Sequence, residues 1–433
     1  MRRKIMADLL LWKQDKNRKP LVMQGARQVG KTYALLAFGR EQYENVAYFN
    51  FEANLLLCET FNENIHPDYL LPLLSHLSGE TIIREKTLVI FDEVQACERA
   101  LTSLKYFCEE APDVHVIAAG SLLGVAVQRK EYSFPVGKVD LMTMHPMNLE
   151  EFLWAMGEED LVRQIRICYE KNQPMPAVLH EAAMALYRQY LVVGGMPEVV
   201  LQYANTRDFN LIRNLQHNIL QAYLNDMSKY STTAEVRKTR QTFDSLAVQL
   251  SKENTRFQYK LIKKGGRAAE FEGAIEWLVL SGIIHQVFRV EQGKKPLHNY
   301  RDIDTFKTFL ADLGLLAALM DLRAEDVLFA SDSINDYKGG LVENYAQTQL
   351  AAGGHHTYFW SSDRSAEVDF VIQLSGQLIP IEVKSADNTR AKSLKVYMDA
   401  YKPAYAIKLS AKNFGYENSI KTLPLYAAFC IQG

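Results

Sequence analysis

Up to about Glu150 the apolar residues fall into short unbroken runs, separated by longer stretches with helical spacing. "PLVMQ", "NVAYFNFE", "TLVIFDEVQ", "HVIAAGS" and "KVDLMTMHP" are runs of the buried-strand kind. Strands that alternate with helices in this way predict a parallel sheet with helices on its faces. From about Glu150 the texture turns helical. In "NLEEFLWAM", "LVRQIRICYEK" and "AVLHEAAMALYRQYLVV" apolar residues recur three and four apart. Adjacent glycines and a proline in "GGMPEVV" (Gly194 to Val200) break that pattern. They read as a tight connection where one helix passes closely over the N-terminal domain.

Residues 236–291 predict a helix, a short helix, and a longer helix running into β-branched strands, an order that resembles a winged helix. A period of two then appears near the end of the chain. In "EVDFVIQL", Val368, Phe370, Ile372 and Leu374 face one way, and Glu367 and Asp369 the other. After a turn at "SGQ", "LIPIEVKS" sets Ile379, Ile381 and Val383 on one face and Glu382 with Lys384 on the opposite one. Paired as a hairpin, these strands bring Asp369, Glu382 and Lys384 together.

A length of 433 residues allows two to four domains. The texture divides them as 1–152, 153–235, 236–300 and 301–433. The formal charge of −2 gives no global basic field, so nucleic-acid contact would need a local patch. Five cysteines without CxxC or Cys/His spacing argue against a disulfide frame or a zinc site. The basic N-terminus has its apolar run broken by Asp8 and Lys13, which reads as an amphipathic helix, not a signal peptide. With no uninterrupted apolar run of membrane-spanning length, the expected location is cytoplasmic, with no membrane partner.

Chemistry enters at "GARQVGKTY". Gly25, Gly30, Lys31 and Thr32 complete G-x-x-x-x-G-K-[ST] between a strand and a helix, the P-loop or Walker A pattern. The nucleotide-binding stretch is Gly25, Ala26, Arg27, Gln28, Val29, Gly30, Lys31, Thr32 and Tyr33. Glycine lets backbone N–H groups turn toward a phosphate, Lys31 supplies charge, and Thr32 offers a hydroxyl to Mg²⁺. "TLVIFDEVQ" ends in Asp92 and Glu93, a Walker B arrangement in which the first acid holds Mg²⁺ and the second polarises the attacking water. Ser121, at the end of another apolar strand, reads as a sensor of the γ-phosphate, and equally as an ordinary strand-to-loop turn. Arg129 and Lys138 are the basic residues within reach as an arginine finger, though each also reads as a surface charge.

Lys252, Arg256, Lys260, Lys263, Lys264 and Arg267 stand against a single acid, Glu253, and offer DNA a phosphate-contacting segment over 252–267. The same face also reads as a solvated surface or a protein contact. At the C-terminus Asp369 and Glu382 suit a Mg²⁺ or Mn²⁺ ion, Lys384 suits orientation of its water, and Glu343 in "GGLVENYAQTQL" offers a further acid beside the stripe Val342, Tyr345, Ala346 and Gln349–Leu350. The alternative keeps the strand pair without the activity, with Lys384 neutralising Glu382.

These segments resemble the prokaryotic AAA-type ATPases whose C-terminal part is called domain of unknown function 4143. The resemblance rests on "GARQVGKT", "TLVIFDEVQ", "AAGSLLG", "HPMNLEEFL", "YLVVGGMPEVV", "LVLSGIIHQV", "FKTFLADLGLL", "GLVENYAQTQL" and "EVDFVIQLSGQLIPIEVKS". It implies an α/β chain: an ASCE-type P-loop sheet, a helical and winged-helix middle, and a C-terminal domain similar to the PD-(D/E)xK (restriction-endonuclease-like) superfamily. It also implies ATP and Mg²⁺ as ligands, with Glu343, Asp369, Glu382 and Lys384 as the nuclease-type core. Gly137-Lys138 departs from the family's usual Gly-Arg, and lysine cannot fork onto phosphate as arginine does. The function expected is a Mg²⁺-dependent ATPase coupled to a nucleic-acid-handling, nuclease-like domain. The alternative is a nucleotide-gated switch whose silent C-terminal domain docks a partner protein.

Overall fold

The computed structural model describes residues 1–121, 134–228, 233–252, 256–328, 338–362, 366–384 and 392–432. The chain divides into two compact units. The smaller comprises Arg3–His145 with Leu280–Gly282, and the larger holds Met1–Arg2, Pro146–Val279 and Ile283–Gly433. Four segments were expected; the described chain clusters as two.

In the smaller unit α1 (Ile5–Gln14) precedes five strands: β1 (Leu21–Gln24), β2 (Asn45–Asn50), β3 (Thr87–Asp92), β4 (His115–Ala119) and β5 (Asp140–Thr143). They form one sheet in the order β2-β3-β4-β1-β5, and every pairing is parallel. Helices α2 (Lys31–Gln42), α3 (Leu55–Glu63), α4 (Pro67–Ser78) and α5 (Glu98–Glu110) connect them. Both β3 and β4 are buried along their whole length, the burial that parallel sheets covered on two faces require. Their unbroken apolar runs are the sequence trace of that burial. β4 lies between β1 and β3, so Ser121 follows the strand that separates the glycine loop from the acid pair.

The larger unit opens with helices α6 (Leu149–Ala155), α7 (Glu159–Lys171), α8 (Ala177–Val193), α9 (Pro197–Thr206) and α10 (Phe209–Asp226). Asn148 and Glu151 make a reciprocal capping box at the start of α6, which explains the "MNLEE" run. The Gly194–Gly195 pair is a close approach within this unit. A Cβ on Gly195 would lie 2.0 Å from the Met147 carbonyl oxygen. The Gly195 carbonyl accepts from Met147 N at 2.7 Å, and its N–H donates to Asp312 Oδ2 at 2.6 Å.

Helices α11 (Thr233–Leu250), α12 (Tyr259–Ile262) and α13 (Ala268–Leu280) lead into the hairpin of β6 (Ile284–Val290) and β7 (Arg301–Leu310). That helix order matches expectation, but the hairpin is no separate wing. β6 also pairs in parallel with β8 (Tyr358–Ser361) and so joins the C-terminal sheet. The expected boundary at residue 300 therefore cuts a hairpin. With β9 (Glu367–Leu374), β10 (Gln377–Val383), β11 (Ala406–Ser410), β12 (Gly415–Glu417) and β13 (Ile420–Pro424), the mixed sheet has eight strands ordered β12-β13-β11-β10-β9-β8-β6-β7.

β9 and β10 form the expected antiparallel hairpin, with Phe370 opposite Ile381 and Ile372 opposite Ile379. Ser375 and Gly376 make its turn, both at positive φ (47° and 74°), as a tight hairpin requires. Helices α14 (Leu313–Leu319), α15 (Ala324–Leu328), α16 (Lys338–Ala352) and α17 (Lys392–Tyr401) complete the unit. α16 is buried at every position from Gly340 to Leu350, not along the single stripe expected. Its polar residues act as internal clamps: Asn344 accepts from Leu310 N at 2.8 Å and donates to Leu310 O at 2.9 Å. Among the described residues no helix is long and apolar enough to cross a membrane.

Candidate active site

The glycine loop joins β1 to α2. Gly30, left-handed at φ 93°, starts the helix at Lys31, so the positive end of its dipole directly follows the loop. Gly25 has a second reason to be glycine: a Cβ there would sit 2.2 Å from the Met144 carbonyl oxygen, where the chain leaves β5. Arg3, buried, donates to Val29 O at 2.9 Å and to His145 O at 2.7 Å, tying the loop to the end of that strand. Ala26 and Val29 are buried, Arg27 is half-buried, and Gln28 and Tyr33 are exposed.

Lys31 is only 7% exposed, and its ammonium donates to the carbonyls of Gly25 and Ala26, both at 2.9 Å. Burial pulls its pKa down to about 8, against the opposing pull of Glu93 and Asp92. These partners are neutral oxygens, and a phosphate oxygen makes a stronger, charge-assisted bond to the same ammonium.

Asp92, buried at the end of β3, takes a hydrogen bond from Thr32 Oγ1 at 2.8 Å on its Oδ2. The same oxygen accepts from Tyr48 Oη at 2.7 Å. Burial first, and then that bond, pushes the Tyr48 phenol up to about 12, so it stays a donor. A threonine hydroxyl beside a carboxylate is the oxygen donor set a hard divalent cation prefers, so Thr32 and Asp92 fit Mg²⁺. Glu93 follows in the left-handed region at φ 50°, a strained setting for a residue with a Cβ. Its Oε2 accepts from Gln95 Nε2 at 2.5 Å.

Tyr48, Gln95 and Arg3 went unseen in the sequence. For Tyr48 a signal existed: it is the polar-tipped residue of an alternating run paired alongside β3, with Asn50 directly opposite Asp92. Ser121 is buried just past β4. Lys138 is paired with Glu109 at 2.9 Å on the surface, the surface-charge reading of that residue. Arg129 lies outside the described residues.

In the larger unit the structure brings Glu343, Asp369, Glu382 and Lys384 into one charged cluster, with members that sequence reasoning did not place there. Lys307 of β7, 1% exposed, pairs with Glu343 at 2.6 Å and Glu367 at 2.8 Å. Arg256 reaches Glu367 from the other side at 2.9 Å. Lys384 pairs with Glu382 Oε1. Asp369 Oδ2 accepts from Val383 N at 2.7 Å, across the hairpin. Desolvation alone would push Lys307 down, but the charges of Glu343, Glu367 and Asp369 outweigh it and hold the ammonium above its ordinary range. Burial raises the carboxyls of Glu343 and Glu382 to about 7, and that of Asp369 above its usual range.

A divalent metal does not fit this set as it stands. Two of the three acids named for it, Glu343 and Glu382, are already paired with an ammonium, that of Lys307 and that of Lys384. Among the described residues no three His, Cys, Asp or Glu side chains converge to hold an ion. Glu382 Oε2 is buried with no hydrogen-bond partner.

Three family models match the chain in succession. Residues 17–153 match an AAA domain, 184–326 a domain of unknown function (DUF8612), and 338–428 the domain of unknown function (DUF4143). The N-terminal segment is an AAA-type P-loop ATPase domain. With the C-terminal match, the arrangement is that of the AAA-type ATPases carrying domain of unknown function 4143. No curated protein matches the chain. Among solved structures it is similar to a Walker-type ATPase of Pyrococcus abyssi, at 17% identity over 73% of this chain and 95% of that one, with a TM-score of 0.44. The Aeropyrum pernix ORC1 protein, solved in complex with DNA, is 11% identical over 74% and 91%, with a TM-score of 0.28. The Thermotoga maritima RuvB Holliday junction branch migration motor is 12% identical over 65% and 87%, with a TM-score of 0.29.

Proposed function

We propose that this protein is a Mg²⁺-dependent ATPase whose nucleotide state governs what its C-terminal domain binds. The observation that carries the reading is the Thr32–Asp92 contact at 2.8 Å beside the buried Lys31 ammonium. Lys31 exchanges its two carbonyl partners for phosphate oxygens, and the loop N–H groups from Gly25 to Tyr33 line the phosphates. Mg²⁺, held by Thr32 with Asp92, neutralises charge on the phosphoryl group when bound. Glu93, released from Gln95, orients water for attack and accepts its proton, and Ser121 senses the γ-phosphate. Tyr48 keeps the Asp92 carboxylate turned toward Thr32.

Glu93→Gln is the direct test. ATP binding followed by calorimetry is expected to be unchanged, while steady-state turnover falls about 100-fold or more, the usual worth of a general base. Normal turnover in that variant removes Glu93 from the role.

For the C-terminal domain, two readings compete. The clamped carboxylates favour a domain that docks a partner without cleaving. An ATPase coupled to nucleic-acid handling draws support from the exposed Lys252, Lys260, Lys263, Lys264 and Arg267, although Lys263 is paired with Glu270 and Arg256 points to Glu367. Metal-dependent cleavage of DNA that disappears in Asp369→Ala would decide for a nuclease. DNA binding that weakens with salt and with Lys260→Ala/Lys264→Ala, without cleavage, would make the ligand a nucleic acid.

A further inference from the structure

We infer that Lys307 is the resident cation of the C-terminal carboxylate cluster, pairing with Glu343 and Glu367 beside the acids named for a divalent ion, so that this domain holds its site without metal. The inference rests on the docking-domain reading above and deepens it.

The geometry is that of a counter-ion at the centre of a set. Lys307 enters from the edge strand β7, yet its ammonium touches acids from two other elements, Glu343 on α16 and Glu367 on β9. The Asn344 clamp on Leu310 fixes α16 against β7 one residue from Glu343 and three from Lys307. The Phe359 ring lies 4.9 Å from the same ammonium, so the cation is also held on an aromatic face. Glu343, Glu367, Asp369 and Glu382 stand against Lys307, Lys384 and Arg256, so the acids of the cluster meet three cations of the chain itself. Glu382 Oε2 is buried without a hydrogen-bond partner, and a divalent ion demands several oxygen ligands. A lone lysine in the run "FKTFLADLGLL" is otherwise unaccounted for. Burying an ammonium is costly without partners, and here the acids supply them.

The test uses Mn²⁺ and electron paramagnetic resonance on full-length, nucleotide-free protein carrying Asp92→Asn, which removes the N-terminal acid. With Lys307 native, no Mn²⁺ that depends on Asp369 is expected at millimolar metal. With Lys307→Met, a side chain of similar length and no charge, one Mn²⁺ should bind at least tenfold more tightly, and adding Asp369→Asn should abolish it. Mn²⁺ bound by the native-Lys307 protein and lost on Asp369→Asn overturns the inference, as does a folded Lys307→Met protein that gains none. Should Lys307→Met fail to fold, the native-Lys307 measurement decides alone. Mn²⁺ binding without DNA cleavage would sink this inference and leave the docking reading standing, whereas cleavage would sink both.

Discussion

Two acid–lysine sites in one chain reach opposite states. At the loop of the smaller unit the buried lysine, Lys31, bonds only to neutral carbonyls, and the acid beside it holds a threonine hydroxyl. In the larger unit the buried lysine, Lys307, bonds to carboxylates. Burial lowers the first ammonium to about 8 and fails to lower the second. A lysine held by weak partners is poised to exchange them for a ligand. One locked between acids is already satisfied. Which residues stand together therefore says less about chemistry than which of them already have strong partners.

The largest expected break in that comparison is Lys307→Ala. Removing one member of a buried ion pair strands its acids, so a loss of about 3–5 kcal/mol is expected in chemical denaturation. ATP binding should persist in protein that remains folded. A Lys307→Ala protein as stable as the parent would mean that the cluster is solvated.

Lys31→Ala inverts the pattern. Its stability should change little, because the lost partners are loop carbonyls, while ATP affinity falls about 100-fold, or roughly 2.7 kcal/mol. Calorimetry with ATP and Mg²⁺ reads this directly, and retained affinity would mean that Lys31 is not a phosphate ligand.

A smaller effect separates the sites by pH. Phosphate favours the charged form of Lys31, whereas the free protein loses that charge as pH rises through about 8. Binding above that pH must take up a proton, so ATP affinity should fall by roughly tenfold per pH unit there and be flat in this respect below it. The slope should vanish in Lys31→Ala. An unchanged affinity up to pH 9 would contradict the proposed contact.

The smallest effect is that of Arg256→Ala. Its bond to Glu367 is partly open to water, so a loss on the order of 1 kcal/mol is expected. A double-mutant cycle with Glu367→Gln should recover most of it. An additive cycle would remove Arg256 from the network.

Local patterns carried much of this. The glycine loop between a strand and a helix, the buried run ending in Asp92 and Glu93, and the alternation through Asp369 and Glu382 were all readable because each depends on neighbours within a few positions. The turn at Ser375–Gly376 was readable for the same reason. Lys307 was visible only as an oddity in an apolar run, since its partners lie 36 and 60 positions away in sequence. Likewise, nothing in "VIFDEVQ" says that Tyr48 will reach Asp92, and Gly25 owes its identity partly to Met144.

By itself, then, the order of residues determined which strands and helices form, where phosphate chemistry is on offer, and which face of the C-terminal hairpin carries charge. Only the tertiary structure decided that β6 and β7 close the C-terminal sheet, and that a distant lysine fills the acids' need for a cation. The physical reason is range. Backbone periodicity and turn chemistry act between near neighbours, whereas the energy of a buried charge depends on whatever the fold brings within a few ångströms of it.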